Sequence, residues 1–303
     1  MKRFIVNILV FFLIVAAIDY AVGKLGDYLQ THAKGGSTRA LNDLVLNDCH
    51  DVIILGSSRA HHHYDTPFLS DTLGLDVYNA GYDGNGCILA YGLLELILER
   101  YRPKLVLFDV SVNFDIIVYD DNFHKRYISL LKPYYKNNVI GDIIKDVSIV
   151  EWYKVHSGLF RYNSKLVNLI ANYYSKNNNY NSGYGPLTGI YTMGLVSQSN
   201  NNYSFDPFKL KYVEKLLLLA KCYDVKIAVI SSPYYGKEPS YLFNPIKSIC
   251  RKHNVPYFNY SDNPYFLNHN DLFKDKGHLN SNGARVFSSI ISADINAILL
   301  DNP

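Results

Sequence analysis

The sequence has little net charge and no strongly basic segment. Lysine and arginine together number 30, and aspartate and glutamate number 27, among 303 residues, which leaves a net charge of +3. No run of basic residues follows the N-terminus, and this pattern argues against nucleic acid as the main partner. The hydrophobic content of 48% supports a substantial core. A length of 303 residues is enough for one large α/β domain with an insertion, or for two domains.

Cysteine is scarce, and its spacing matches no metal-binding pattern. The four cysteines are Cys49, Cys87, Cys222 and Cys250. Their even number fits an oxidising compartment, but buried free thiols fit the sequence as well as disulfides do.

Three adjacent histidines, His61-His62-His63, suggest a metal site. Adjacent side chains on a turn or helix point in different directions, however, and no Cys or Glu stands at ligand spacing to complete a site. We therefore predict no metal ion here, and no organic cofactor elsewhere in the chain.

The N-terminus carries the one long hydrophobic run. Lys2 and Arg3 precede residues 4–23, an apolar stretch of about 20 residues that is long enough to span a bilayer as a helix. The basic residues favour a cytoplasmic N-terminus, with the chain after Lys24 in the periplasm or at the cell surface. A cleaved signal peptide is the alternative, because Ala21-Val22-Gly23 resembles a cleavage site. We expect an uncleaved anchor at 1–23, a connector at 24–44 and a globular domain at 45–303.

Short apolar runs alternate with helical patterns in the rest of the chain. Residues 52–55 are apolar at every position, as in a strand buried on both faces. Further strands are predicted at 76–80, 104–110, 225–231 and 255–259. Strands and helices at this spacing predict an α/β fold with a parallel sheet and right-handed crossovers.

Residues 115–205 interrupt this alternation. Helical patterns near 123–131 and 139–174 precede a polar, Asn- and Gly-rich tract at 175–202, and the whole region is too long for one crossover. We predict a helical insertion with a flexible tip. Because it follows the third strand, it would overhang the carboxyl edge of the sheet, as a lid or as part of a substrate groove.

Two separated groups of residues form a candidate catalytic site. The first strand runs into Gly56-Ser57-Ser58-Arg59, and chemistry in open α/β sheets sits outside the carboxyl ends of strands. Taken alone, this segment is more typical of a capped βα turn than of a catalytic site. Asp275 stands three residues before His278, so the carboxylate can orient the imidazole as a base. Together the two groups predict a Ser-His-Asp system.

An acyl-transfer site also needs donors for a tetrahedral oxyanion. The ends of the second and third strands offer two, the backbone N–H of Gly81 and the side-chain amide of Asn113. Either residue alone is equally typical of an ordinary turn or loop.

These residues resemble the SGNH/GDSL hydrolase superfamily, whose members share four short blocks in a fixed order. The matching blocks here are Gly56-Ser57-Ser58, Tyr78-Asn79-Ala80-Gly81, Ser111-Val112-Asn113-Phe114 and Asp275-Lys276-Gly277-His278-Leu279-Asn280 followed by Gly283-Ala284. The resemblance spans residue 51 to about residue 300, apart from the insertion. It implies a three-layer α/β/α, flavodoxin-like fold. The arrangement is similar to membrane-anchored branches that include the D-alanine-transfer proteins of teichoic acids and the alginate O-acetyltransferase group.

The resemblance implies Ser58 as nucleophile, with the backbone N–H of Ser58, that of Gly81 and the amide of Asn113 as oxyanion donors. The chain departs from the family pattern at Ser57, which replaces an Asp, and in the third block, which lacks a Gly and a second Asp. These departures affect the donor geometry more than the Ser-His-Asp core.

The implied function is hydrolysis of esters, as an esterase that removes acetyl or other acyl groups from an envelope or extracellular carbohydrate. The alternatives are an O-acyltransferase that modifies a cell-surface polysaccharide, and a non-catalytic binding or assembly protein with the same fold. Arg59 lies outside the family pattern and either binds an anionic group or pairs with an acid such as Asp83. Asn85 is a further candidate for substrate binding.

Overall fold

The computed structural model describes residues 1–118, 123–175, 181–194, 203–236 and 238–300. The chain divides into two compact units. The α/β unit comprises residues 44–127 and 180–303, and the helical unit comprises residues 1–43 and 128–179. Most of the predicted connector therefore belongs to the same unit as the helices of the predicted insertion.

The α/β unit is built on a five-stranded parallel sheet with the order β2-β1-β3-β4-β5. Its strands are β1 (Val52–Gly56), β2 (Val77–Gly81), β3 (Leu105–Asp109), β4 (Lys226–Ser231) and β5 (Tyr257–Asn259). All five predicted strands are present. The chain leaves β1 toward β2 and then returns to the other side of β1, so the strand order reverses beside β1, where open α/β sheets bind their ligands.

The described residues contain fourteen α-helices. In chain order they are α1 (Lys2–Thr31), α2 (Gly36–Asn42), α3 (Ser58–His63), α4 (Thr66–Leu73), α5 (Cys87–Leu98), α6 (Phe123–Tyr127), α7 (Asn138–Val147), α8 (Ile149–Val155), α9 (Gly158–Tyr162), α10 (Leu166–Tyr174), α11 (Pro207–Cys222), α12 (Asn244–Lys252), α13 (Pro264–Leu267) and α14 (Ser281–Leu300). Single π turns occur at Asp43–Asn47 and Val112–Ile116, and 3-10 turns occur at Lys132–Tyr134, Asn181–Gly183, Ser240–Phe243 and Asn270–Leu272. A two-stranded antiparallel hairpin, β6 (Phe273–Asp275) and β7 (His278–Leu279), precedes α14.

Helices cover the sheet, because its strands are apolar on both faces. Every residue of β1, β2 and β3 is buried. On one face Ile54 and Leu107 pack with Leu69 of α4 and with Phe287 and Ile291 of α14. Helix α5 contacts β1, and α11 packs against both α5 and β4. The predicted three-layer α/β/α fold is confirmed.

The predicted helical stretch at 139–174 is a series of short helices. Ser148 and Ser157 break it, because each accepts a backbone hydrogen bond at the start of a new helix, α8 and α9 respectively. In the predicted flexible tip, residues 176–180 and 195–202 lie outside the described residues. Residues 181–194 pack into the α/β unit, where the Gly185 N–H donates to the His61 carbonyl at 3.0 Å.

Among the residues that the structure describes, two helices are long and apolar enough to cross a membrane, α1 and α14. Helix α14 is a core helix, since its Phe287, Ile291 and Ile295 are fully buried against the sheet. The apolar part of α1 is instead exposed along its length. All four cysteines are free thiols, so the question left open by their spacing is answered in favour of thiols.

Candidate active site

The turn after β1 places Ser58 at the carboxyl edge of the sheet. Gly56 has φ +148°, and a Cβ there would lie 2.6 Å from the Asp109 carbonyl oxygen, so only glycine fits this turn. Ser57 adopts an extended conformation, and α3 begins at Ser58. The strand-turn-helix geometry therefore presents the Ser58 hydroxyl at the switch point of the sheet.

The β6–β7 hairpin brings Asp275 and His278 to the same place. Ser58 Oγ lies 2.8 Å from His278 Nε2. On the other side of the ring, His278 Nδ1 lies 2.9 Å from Asp275 Oδ1 and 3.0 Å from Oδ2. The structure thus joins the three predicted residues in one hydrogen-bonded chain across 220 positions of sequence. This is the geometry of a nucleophile, a base and a group that orients the base.

The Asp275 carboxylate is held by the hairpin turn itself. Its Oδ1 accepts hydrogen bonds from the backbone N–H groups of Gly277 and His278, at 2.8 and 3.0 Å. Partial burial opposes ionisation, but the hydrogen bonds and charge of His278, with the two backbone donors, lower the pKa of Asp275. An ionised Asp275 accepts the Nδ1 proton of His278, which leaves Nε2 free to accept the Ser58 proton.

His63 is a positioning residue, a role that its sequence context did not predict. It is fully buried at the end of α3, the helix that begins at Ser58. Its Nε2 accepts the backbone N–H of Leu279 at 3.1 Å, and its Nδ1 lies 2.9 Å from Ser232 Oγ. One imidazole therefore connects the helix of the nucleophile to the strand of His278. Burial, first, and the neighbouring His278 lower the pKa of His63 well below its ordinary value, so the ring is neutral.

His61 and His62 meet a common acid, Asp83. His61 Nδ1 lies 2.8 Å from Asp83 Oδ1, and His62 Nε2 lies 3.1 Å from the same oxygen. The two rings share this acid because the loop after β2 carries Asp83 across both of them. The three side chains form the one group of candidate metal-binding residues within the described ranges, with ligand atoms within 4.8 Å of one another.

The hydrogen bonds of His62 explain this cluster, because they favour an additional proton on the His62 ring. His62 Nδ1 faces the Gly185 carbonyl at 2.5 Å, while Nε2 faces Asp83. A neutral imidazole has one N–H, so two acceptors favour the doubly protonated ring. Burial opposes the charge, but the hydrogen bonds and charge of Asp83 outweigh it and raise the pKa of His62. The His62 ring meets His278 edge-on, with centroids 5.6 Å apart, so this charge lies beside the candidate base.

We expect the combined contribution of His62 and His63 to the stability of the protein to be greatest near pH 6.5, because the two rings titrate in opposite senses. His63 has a lowered pKa in the folded state, so the unfolded chain binds more protons and stability falls as pH drops below about 6.5. His62 has a raised pKa, so its contribution is complete below about 6.5 and is lost as pH rises through the folded-state value. Each group contributes a slope of up to about 1.4 kcal/mol per pH unit.

The measurement is the midpoint of thermal unfolding of the full chain in detergent, over a pH range from about 5 to about 8. His63→Gln keeps an acceptor for the Leu279 N–H without a titrating ring, and we expect it to flatten the acid side of the profile. His62→Gln should flatten the alkaline side. A profile that His63→Gln leaves unchanged would contradict the neutral, buried assignment of His63.

The predicted oxyanion donors lie at the expected strand ends. The Gly81 N–H donates to the Asn79 side chain at 2.9 Å, and a Cβ on Gly81 would lie 2.5 Å from the His61 nitrogen. Asn113 lies in the π turn after β3, with its side chain exposed and its carbonyl accepting the Lys209 ammonium at 2.9 Å. The Gly81 N–H must therefore be shared with Asn79 if it binds an oxyanion. The donor roles stay predictions.

Arg59 pairs with Glu238, and the predicted partner Asp83 is wrong. Asp83 is held by the two histidines, whereas Arg59 points into the interior, 4% exposed. Its Nη2 donates to the Val110 carbonyl at 3.0 Å, and its Nη1 lies 3.7 Å from Glu238 Oε2. Asp109, also fully buried, is a second acid near the guanidinium. Arg59 therefore supports the carboxyl edge of the sheet from inside.

Asn85 lies in the loop after β2 and is 7% exposed. Its Nδ2 donates to the Asp83 carbonyl at 3.0 Å. Its Oδ1 is buried and has no hydrogen-bond partner in the part of the chain that the structure describes. An unpartnered buried acceptor costs free energy that a bound donor group would recover, so Asn85 stays a candidate for substrate binding.

The chain is similar to solved structures of esterases at low sequence identity. An acetyl xylan esterase aligns with 80% of this chain and 99% of its own, at 12% identity and a TM-score of 0.42. A GDSL-like lipase from Bacteroides thetaiotaomicron covers 81% of this chain and 87% of its own, at 13% identity and a TM-score of 0.39. A two-domain esterase active on acetylated mannans covers 87% of this chain and 53% of its own, at 12% identity and a TM-score of 0.40. No protein-family model and no curated relative matches the sequence. At these identities and TM-scores, no functional residue of those proteins is transferred to this chain.

Proposed function

We propose that this protein is a serine esterase that removes acyl groups, most simply acetyl, from a carbohydrate outside the cytoplasm. The observation that carries the proposal is the chain of contacts from Ser58 through His278 to Asp275, at 2.8 and 2.9 Å. This chain lies at the switch point of a parallel sheet, where substrates of such folds bind. No step of the proposed reaction requires a metal or an organic cofactor.

In the proposed reaction His278 Nε2 accepts the Ser58 proton as Oγ attacks the ester carbonyl. Asp275 holds the Nδ1 proton and stabilises the imidazolium. The tetrahedral intermediate collapses to an acyl-Ser58, and the leaving alcohol takes the proton from Nε2. Water then attacks the acyl group with His278 as base, which regenerates the serine and releases the acid.

The negative oxygen of the intermediate needs hydrogen-bond donors in place before it forms. We assign this role to the backbone N–H of Ser58, that of Gly81 and the amide of Asn113, each worth about 3 kcal/mol of barrier. The buried Asn85 amide is the candidate contact for a substrate hydroxyl. These assignments follow the positions of the residues at the ends of three neighbouring strands.

We propose further that α1 is retained as an uncleaved anchor. Cleavage after Gly23 would remove Asp19, whose carboxylate accepts hydrogen bonds from Ser157 Oγ and from the backbone N–H groups of Gly158 and Leu159. Gly26 and Asp27, on the same helix, contact Tyr162. The helical unit is thus assembled around α1, and a ligand-facing domain outside the cytoplasm fits an envelope substrate.

A fluorophosphonate probe tests the serine assignment directly, because it reacts with a serine activated by a base. We expect covalent labelling of the full chain, lost in Ser58→Ala and retained in the matched control Ser57→Ala, whose hydroxyl is buried without a partner in the described chain. Labelling on a serine other than Ser58 contradicts the assignment. Failure of the folded protein to label at all supports the alternative of a binding or assembly protein.

The acceptor of the acyl group separates an esterase from an O-acyltransferase, since both form the acyl-Ser58. Release of free acid in step with the alcohol, with and without an added acceptor sugar, supports the esterase. An acylated sugar formed in place of free acid supports the transferase.

A further inference from the structure

The part of the apolar stretch of α1 that precedes Asp19 is by itself shorter than the hydrocarbon layer that α1 is proposed to cross. From Phe4 to Ile18 the helix carries 15 residues that are apolar except for Asn7. At 1.5 Å per residue this run is about 22 Å long, against about 30 Å for the hydrocarbon of a typical membrane. Asp19 follows directly. The outer part of the bilayer would therefore contact the Asp19 carboxylate and the segment that packs beside it.

The start of α9 packs beside Asp19. The carboxylate accepts the backbone N–H groups of Gly158 and Leu159 at 3.2 and 2.9 Å, and the Ser157 hydroxyl. These bonds satisfy a partly covered acid that lipid would otherwise leave without partners. A segment that donates hydrogen bonds to Asp19 must lie at the same depth in the membrane as Asp19.

The two helices touch through glycines, so their backbones are close. A Cβ on Gly158 would lie 2.4 Å from the Asp19 carbonyl oxygen, and one on Gly23 would lie 3.2 Å from the Gly158 Cα. A Cβ on Gly26 would lie 2.1 Å from the Tyr162 ring. Small residues at a helix contact are the usual means of close packing within membranes.

The other side of α9 is apolar and exposed. Leu159 is 41% exposed and Phe160 is 56% exposed, directly after the glycine that touches α1. The ammonium group of Lys154, an exposed residue of α8, lies 5.9 Å from the centre of the Phe160 ring. An apolar pair with a neighbouring long cation is the composition of an interfacial membrane contact, with the cation near lipid phosphates.

We propose that α9 enters the membrane–water interface on the outer side of the bilayer that α1 crosses, and that Leu159 and Phe160 are buried among the lipid acyl chains. This inference rests on the proposed anchoring of α1. The apolar surface of α9 continues that of α1 at the level of Asp19, so a lipid bilayer is the partner that covers both. The membrane contact then consists of α1 and the Leu159–Phe160 pair, and this pair limits the tilt and rotation of the helical unit at the surface.

Tryptophan quenching by brominated phosphatidylcholine tests the proposal in the full chain in liposomes. Trp152 is the only tryptophan, so Trp152→Phe gives a silent background. In that background Phe160→Trp reports on α9. The matched control Tyr174→Trp reports on α10, where the neighbouring Tyr173 contacts Tyr28, nine residues or about 13 Å beyond Asp19 along α1.

We expect quenching by bromines near the headgroup to be stronger in Phe160→Trp than in Tyr174→Trp, by on the order of twofold or more. A third variant, Phe11→Trp, reports on the anchor itself. Quenching of Phe11→Trp with equal or weaker quenching of Phe160→Trp than of Tyr174→Trp overturns the inference and leaves the anchor standing. No quenching of Phe11→Trp overturns the anchor. A concentration-dependent emission shift of Phe160→Trp without quenching identifies a second copy of the chain as the partner and also overturns the inference.

Discussion

Replacement of Ser58 by alanine is expected to lower kcat/KM for an activated acetyl ester by about 10⁴-fold or more. The reason is the loss of the only hydroxyl that the structure places 2.8 Å from His278 Nε2 within the described chain. Without it the acyl-enzyme cannot form, and only binding and oxyanion stabilisation remain. The measurement is steady-state release of the alcohol by the full chain in detergent.

The partner variants make this expectation specific. His278→Ala should cost about as much as Ser58→Ala, and the double variant little more, because residues of a triad act as one unit. Asp275→Asn should lower kcat more than it raises KM, since it loses the acceptor that fixes the His278 tautomer. Ser57→Ala is the matched control, with turnover retained. Full turnover in both Ser58→Ala and His278→Ala would refute the catalytic assignment.

Replacement of Arg59 by methionine is expected to destabilise the folded protein by about 3–5 kcal/mol, because it leaves buried carboxyls without their cation. Arg59 lies 3.7 Å from Glu238 and near Asp109, and burial raises the pKa of both acids against the lowering by Arg59. Methionine fills a similar volume, so lost packing is small. The measurement is the free energy of unfolding in denaturant.

A paired variant separates charge from shape at this site. Arg59→Met combined with Glu238→Gln removes one of the two carboxyls that lost their partner, so we expect it to recover part of the lost stability. An Arg59→Met protein within about 0.5 kcal/mol of the parent would show that the ion pair does not support the turn. Fluorophosphonate labelling of the surviving folded fraction then reports whether Ser58 keeps its position.

The buried strands could be predicted from the sequence alone. Residues 52–55 and 105–108 are apolar at successive positions, and this composition predicts a strand covered on both faces without any knowledge of its neighbours. The sharp turn at Gly56 could be predicted for a similarly local reason, since such a turn after a strand requires a residue without a Cβ. The spacing of Asp275 and His278 is equally local, because three residues bring both side chains to one side of a turn.

Contacts between residues far apart in the sequence could not be predicted from it. Nothing near Arg59 distinguishes Glu238 from Asp83, since both are acids and the choice depends on which loop folds over the guanidinium. His63 carried no local signal either. Its role exists only because the hairpin strand of Leu279 comes to lie against the end of α3.

The sequence by itself therefore determined the α/β fold, the turn that carries Ser58 and the Asp275–His278 pair, because each depends on hydrophobic period or on neighbours within a few residues. Only the tertiary structure decided that Ser58 and His278 meet at 2.8 Å and that His61 and His62 share Asp83. The same holds for the packing of α1 on α9. These contacts join segments tens to hundreds of residues apart, and their geometry is set by strand register and helix packing rather than by local composition.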